Sequence, residues 1–283
     1  MKTILVPTDF SKNANHALKY AVELAKKENA KILLLHAYHT TYVAPDVPYQ
    51  YAAAIFGATI EDTDKKLRSL LKRIQIKNIK CEAINIERFP VDAIIDVADK
   101  TKPYLIVMGT KGATGISEVL MGSNTAKVIE KAKCPVIAVP EKAKFGSINH
   151  ITYATDYQTS DLEALKRLVE IAKLFDSFIT ILHVADQSLA YDDDTEFMIK
   201  FKKKVIAKIK YPKIQYKLIY GKNVVKDLES YIKRGKPDLF AMSTKHRNIY
   251  EKLFDSSITK KMAYHTKVPI LAFHYKQDSI VFI

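Results

Sequence analysis

The sequence predicts an α/β protein made of two tandem, doubly wound domains, each built on a five-stranded parallel sheet. Three observations carry this expectation: an internal repeat, a regular alternation of β-type runs with amphipathic helical stretches, and a cluster of glycines where one strand ends. In the repeat, Asp9 closes the run Ile4 to Thr8 as Asp156 closes Ile151 to Thr155, and Leu34-Leu35-His36-Ala37 is matched by Ile181-Leu182-His183-Val184, both at an offset of 147. Near the end of each half, Val107-Met108-Gly109-Thr110-Lys111 is matched by Ala241-Met242-Ser243-Thr244-Lys245, and Cys134-Pro135-Val136-Ile137 by Val268-Pro269-Ile270-Leu271, at an offset of 134. The second half is therefore 13 residues shorter in its middle, and the connection after its second strand is where the deletion fits.

In the first half, short apolar runs predict strands at 3–8, 31–37, 79–86, 104–108 and 136–139. The helix over 12–28 starts after Ser11, a good N-cap, and carries Ala17, Leu18, Ala21, Val22, Leu24 and Ala25 as one apolar stripe. Residues 40–58 read as a long excursion containing Tyr42, Pro45, Pro48, Tyr49, Tyr51 and Phe56, either an aromatic lid or a surface packed against the second domain. Helices follow over 59–75, over 91–101 with Pro90 at its first turn, and over 124–133 with Ser123 as its cap. The second half repeats the scheme, with strands at 149–154, 178–184, 214–219, 238–242 and 269–273 and helices at 160–174, 195–210, 223–234 and 257–267. The short polar stretch 141–147 links domains expected at 1–143 and 147–283, and the apolar end Ile280-Val281-Phe282-Ile283 predicts that the tail 275–283 docks as an edge strand.

A length of 283 residues, 48% apolar and 27% charged content are those of a globular chain of two domains rather than a disordered one. Nothing resembles a transmembrane span, and the first residues read as a strand broken by Pro7-Thr8-Asp9 rather than as a signal peptide, so a cytoplasmic protein without a membrane partner is expected. Two cysteines, Cys81 and Cys134, are too few for a disulfide framework, and His36 with His39 lacks a zinc spacing, so no metal is expected. The net charge of +14 invites a nucleic-acid reading. The lysines of 199–213, however, interleave with apolar residues at helical spacing, as the solvated face of an amphipathic helix does.

The segment with most chemistry is Gly109-Thr110-Lys111-Gly112, followed nine residues later by Gly122-Ser123. Four of the eight glycines of the chain fall here: Gly109, Gly112, Gly115 and Gly122. Any one of them could simply make a turn; together they suit a backbone that approaches phosphates closely at a strand-to-helix junction, where unpaired N–H groups carry partial positive charge. No Walker-type loop and no G-x-G-x-x-G fingerprint occurs.

The order G-x2-G-x9-G-[ST], after a strand ending in Val-Met-Gly and before a helix leading to Cys134-Pro135-Val136-Ile137-Ala138-Val139-Pro140, resembles the nucleotide-binding signature of the universal stress protein family. Ile4-Leu5-Val6-Pro7-Thr8-Asp9-Phe10-Ser11 is similar to that family's opening strand. The resemblance implies an adenine nucleotide alpha hydrolase-like, Rossmann-like fold in each domain, with halves that pair like a dimer through the strands beginning at Pro135 and Pro269. It implies an ATP site, with or without Mg2+, formed by Pro7, Thr8 and Asp9, by main chain near Ala37 that meets adenine, and by Met108, Gly109, Gly112, Gly122, Ser123 and Asn124 at the phosphate end. Asp9 would accept hydrogen bonds from ribose or base rather than meet phosphate; its alternative is to bond the start of the helix that Ser11 caps. Ser243, His246 and Ser256 stand where Gly109, Gly112 and Gly122 stand, so side chains are expected to fill the phosphate volume of the second half. The expected function is an ATP-binding stress-response regulator with one competent site. The alternatives are a slow ATP hydrolase or phosphotransferase, for which Asp9 alone is thin support, and a basic nucleic-acid-associated protein, which rests on charge alone. Association of two chains into a homodimer stays open.

Overall fold

The computed structural model describes residues 1–39, 49–110, 122–186, 191–243 and 268–274. In chain order the first half carries β1 (Thr3–Pro7), α1 (Lys12–Glu28), β2 (Lys31–Tyr38), α2 (Tyr49–Gln75), β3 (Cys81–Glu87), α3 (Pro90–Thr101), β4 (Leu105–Gly109), α4 (Ser123–Lys131) and β5 (Val136–Val139). The second half carries β6 (His150–Ala154), α5 (Thr159–Phe175), β7 (Phe178–Asp186), α6 (Tyr191–Lys208), β8 (Ile214–Gly221), α7 (Val224–Gly235), β9 (Leu239–Ser243) and β10 (Ile270–Phe273). All ten strands form one sheet in the order β3-β2-β1-β4-β5-β10-β9-β6-β7-β8. Pairing is parallel within each half and antiparallel between β5 and β10, where Leu271 lies opposite Ile137. The strands of the two halves therefore run in opposite directions, and their carboxyl ends open at opposite ends of the sheet.

Local chemistry explains most boundaries. Ser11 caps α1, its Oγ accepting from the Ala14 N–H at 3.1 Å, and Pro90 opens α3. Asn29 and Asp176 end α1 and α5 in the left-handed conformation, as Lys102 and Lys236 end α3 and α7, so the helix stops repeat along with the strands. Two expectations are corrected. Residues 49–58 are helical rather than part of an excursion, because Pro48 gives way to a run containing Ala52-Ala53-Ala54, the best helix-forming residue type. Gly122 rather than Ser123 occupies the N-cap of α4, with no side-chain cap bond, and Ser123 is the first helical residue. Tyr42, Pro45, Pro48, the helix expected at 257–267 and the tail 275–283 lie outside the described residues.

The core lies on both faces of the sheet. On one face α1, α2, α5 and α6 cover a continuous apolar layer that crosses the seam through Ile137, Val139, Leu271 and Phe273. On the other face α3 and α4 cover Leu5, Leu33, Leu35 and Met108, and α7 covers Leu182, Val184 and Phe240. The link between halves is packed against this core: Ala143 and Ile148 are buried, the ring of Phe145 lies edge-on to Tyr20 with centroids 4.7 Å apart, and its other neighbour is Phe175 at 6.3 Å. His16 also bonds the Ala143 carbonyl, so the first helix holds the link in place.

Leu271→Ala is expected to lower unfolding stability by about 3 kcal/mol, because it leaves a hole in the layer shared by both halves; a urea midpoint unchanged from the parent would contradict that packing. Burial pushes the Cys134 thiol up to about 11, so at pH 8 only about one molecule in a thousand is thiolate. Alkylation of Cys134 by iodoacetamide should therefore be slow below pH 9 and accelerate steadily above it.

Candidate functional site

The carboxyl ends of β1 and β4 lie side by side, since Leu5 pairs with Ile106, and the mouth between them is built from the turn after β1 and the start of α4. Thr8 continues the sheet by donating its N–H to the Leu35 carbonyl at 2.8 Å, and its hydroxyl accepts from the Phe10 N–H at 3.1 Å. Asp9 is exposed, and its carboxylate accepts from the Ser11 N–H at 3.0 Å. Phe10 adopts φ 62°, a left-handed conformation that costs a non-glycine residue about 1–2 kcal/mol. Its ring is thereby laid on His36, 4.4 Å between centroids, and His36 donates its Nδ1–H to the Thr8 carbonyl at 2.8 Å. A carbonyl only accepts, so Nδ1 carries the proton.

The second half repeats this turn. Tyr157 adopts φ 61°, its ring lies 4.4 Å from that of His183, and His183 Nδ1 donates to the Thr155 carbonyl at 2.7 Å. The strained aromatic, the histidine and the threonine carbonyl thus form one unit that occurs twice.

At the phosphate end the glycines differ in what they do. A Cβ on Gly109 would stand 2.5 Å from Asn13 Oδ1 and 3.1 Å from the Asn13 main-chain carbon. Asn13 is buried, donates to the Val139 carbonyl at 3.3 Å, and occupies the space that glycine leaves. Gly122 has φ −54° and ψ 140°, an ordinary extended conformation, and its N–H donates to the Thr110 carbonyl at 2.5 Å. Thr125 fastens α4 to the strand end by donating its hydroxyl to the Gly109 carbonyl at 2.8 Å. The first intrahelical amide bond of α4 is that of Ala126 to the Gly122 carbonyl, which leaves the amides of Ser123 and Asn124 at the positive end of the helix without intrahelical partners. Both residues are exposed. Met108 buries its side chain in the core, so only its main chain reaches the mouth; Ala37 stands at the end of β2 opposite Ile86, and Pro7 ends β1 opposite Leu35. Gly112 and Lys111 lie outside the described residues.

The equivalent mouth of the second half carries an acid that has no acidic counterpart in the first. Asp161, at the repeat position of Ala14, is buried. Its carboxylate accepts from Tyr153 Oη at 2.8 Å, Thr155 Oγ1 at 2.7 Å and the N–H groups of Gln158 at 3.0 Å and Asp156 at 3.3 Å. It lines a cavity of about 30 Å³ together with Thr155, Asp156 and Ser243. That volume is far below the several hundred Å³ that a nucleotide-sized ligand needs, and two carboxylates repel phosphate. His183 lies close to two acids here, with Nε2 3.6 Å from Asp194 and Nδ1 4.0 Å from Asp156. A Cβ at Gly109 would meet Asn13; in the second half Ser160 stands at the repeat position of Asn13, and Ser243, at that of Gly109, lines the cavity. His246, Ser256 and Ser257 lie outside the described residues.

The family model for "Universal stress protein family" matches the chain twice, at residues 1–140 and 147–274. The chain belongs to the universal stress protein family. Half-length relatives match one half of it: MJ0531 of Methanocaldococcus jannaschii is 32% identical over 146 residues, covering 50% of this chain and 84% of that protein, and MJ0577 of the same organism is 26% identical over 155 residues, covering 50% and 96%. A universal stress protein structure from Archaeoglobus fulgidus shares the fold along the full length, with 19% identity, a TM-score of 0.73 and coverage of 98% of both chains.

Within this universal stress protein, the sequence motif brought Pro7, Thr8, Asp9, Met108, Gly109, Gly122, Ser123 and Asn124 to one mouth, whereas His36, Phe10, Asn13 and Asp161 were not singled out for it. The signal for Asp161 was present, because the gapless repeat sets an acid against Ala14 in the first turn of the helix. Its burial depends on Tyr153 and Thr155, which only the folded strand brings near. Gly109→Ala is expected to destabilise the protein by about 1–3 kcal/mol through overpacking against Asn13, and Asn13→Ser, the pairing found in the second half, should recover part of that loss in a thermal-unfolding double-mutant cycle. Asp161→Ala strands four donors and should cost about 3 kcal/mol in the same measurement.

Proposed function

We propose that this universal stress protein is an ATP-binding regulator with one competent nucleotide site, in a domain spanning 1–143, and a second domain, 147–283, that does not take a triphosphate. The observation that supports this most strongly is the contrast between the two mouths. The first offers helix-start amides at Ser123 and Asn124, and the second buries the Asp161 carboxylate against Thr155 and Asp156. In this reading Gly109, Gly112, Gly122, Ser123 and Asn124 hold the phosphates, with Mg2+ as an optional companion, and the Met108 main chain borders them. Ala37 meets adenine through its main chain, and Asp9, with Pro7 and Thr8 shaping its turn, accepts from ribose. Asp9 accepts from the Ser11 N–H, and a carboxylate is an acceptor of the kind that a ligand hydroxyl would meet. The role is binding rather than turnover, because the turn supplies one carboxylate, and in-line phosphoryl transfer needs charge neutralisation and a positioned nucleophile as well. Pairing of β5 with β10 supports a reading in which the two domains form within one chain the pair that two half-length chains would otherwise make.

Calorimetric titration with ATP in the presence of Mg2+ should saturate at one nucleotide per chain. Gly122→Val should weaken binding about tenfold or more without unfolding, since the φ and ψ of Gly122 suit any residue, and Ser243→Ala should leave it unchanged. Two nucleotides per chain would remove the asymmetry, and no binding at millimolar ATP would remove the proposal itself.

A further inference from the structure

The net charge is +14, and residues 199–217 hold eight lysines and no acid, whereas the start of α6 holds Asp192, Asp193, Asp194 and Glu196. Helix α6 buries Phe201 and Val205 against the sheet, so its core-facing stripe is satisfied. It nonetheless carries two large aliphatic side chains in the open, Ile199 at 46% and Ile206 at 62% exposure. Seven residues apart, they lie two turns along one face. Lys203 falls between them on that face and Lys210 follows two residues after the helix ends, both exposed and neither ion-paired among the described residues. Beside this stripe, between α6 and β8 at the edge of the sheet, runs an open groove of about 570 Å³ walled by Met198, Ile206, Ile209, Tyr211, Pro212 and Ile214. Lys202 sits at its rim with its ammonium 5.5 Å from the Tyr216 ring, and Lys213, next to Pro212, lies 5.2 Å from the half-exposed ring of Phe178.

We propose that the α6–β8 flank is a peripheral docking surface for an anionic lipid bilayer, with Ile199 and Ile206 entering the headgroup boundary and Lys202, Lys203 and Lys210 meeting acidic headgroups. Charge complementarity selects this occupant. A second copy of the chain would bring the same lysines face to face. A nucleic acid would use the lysines and leave the groove and the isoleucines in water, and residues 191–217 hold no arginine for phosphate or base recognition. A bilayer satisfies both parts, since apolar side chains enter the acyl boundary while lysines reach the headgroups. No described helix is long and apolar enough to span a membrane, and a surface contact requires none.

The test is sedimentation of the full chain with phosphatidylcholine vesicles with and without phosphatidylserine, beside the variants Ile199→Ser/Ile206→Ser and Lys203→Gln/Lys210→Gln, whose fold is checked by circular dichroism and urea unfolding. The parent should bind only the vesicles that contain phosphatidylserine. Loss of each lysine should weaken binding about fivefold, and the isoleucine pair should weaken it about tenfold or more at unchanged charge. Absence of binding at low salt, full binding by the isoleucine variant, preferential capture by a competing DNA duplex, or self-association through this face would each overturn the proposal. ATP titration of the same variants should be unchanged, which separates this surface from the nucleotide site.

Discussion

The antiparallel pairing of β5 with β10 is the constraint from which the rest of the architecture follows. Each half is a parallel sheet whose β5 or β10 would be an open edge if the half stood alone, and a parallel edge is a row of unpaired main-chain groups. Setting the two edges against each other satisfies both at once. It also fuses one face of each half into a single apolar layer through Ile137, Val139, Leu271 and Phe273, and it reverses the strand direction across the seam. The two mouths consequently open at opposite ends of the sheet. Among the described residues the outermost strands are β3 and β8, and the exposed apolar stripe of α6 lies beside the second of these.

Comparing the two mouths shows which features belong to the fold and which to the ligand. The strained Phe10 and Tyr157, their histidines and the threonine carbonyls occur in both halves with nearly the same geometry. A backbone cost of the order of 1–3 kcal/mol persists only where surrounding structure outweighs it. The turn thus occurs both where its neighbour is Ala14 and where its neighbour is the buried carboxylate of Asp161, so it does not depend on the chemistry of the mouth beside it. The turn is better understood as the device that ends the first strand of each half and aims the following helix at the sheet. Among the described residues, the mouths differ at Ala14 against Asp161 and at the Asn13–Gly109 pair against Ser160 and Ser243.

Much of the fold was legible because it rests on short-range signals. The apolar runs, the Ser11 cap, the Pro90 start and the repeat offsets placed β1 to β10 and most helix limits within a few residues. The start of α2 was not legible in that way, since the prolines and tyrosines around residues 42–51 suggested a loop while the alanines that follow favoured a helix. The site was legible as a location and less so in its details. A glycine looks the same in sequence whether its bare face meets a ligand or a neighbouring side chain, and only the position of Asn13 distinguishes these for Gly109. Gly122 could not be seen to have an ordinary φ, nor Ser123 to fall one residue inside the helix rather than at its cap. Asp161 required knowledge of three dimensions, because an acid in a first helical turn is usually solvated, and here Tyr153, Thr155 and the turn amides surround it.

The tandem arrangement itself explains how such asymmetry can arise. In a symmetric pair of identical chains, every substitution is made in both mouths at once, so an acid at the position of Asp161 would stand in both. When the two halves are joined in one chain, the seam continues to require Val136 to Val139 and Ile270 to Phe273 in both, while the mouths are free to diverge. The second half can then keep the turn that the fold needs while acquiring Asp161 beside it. The chemistry of the two mouths thus becomes separable within one continuous sheet.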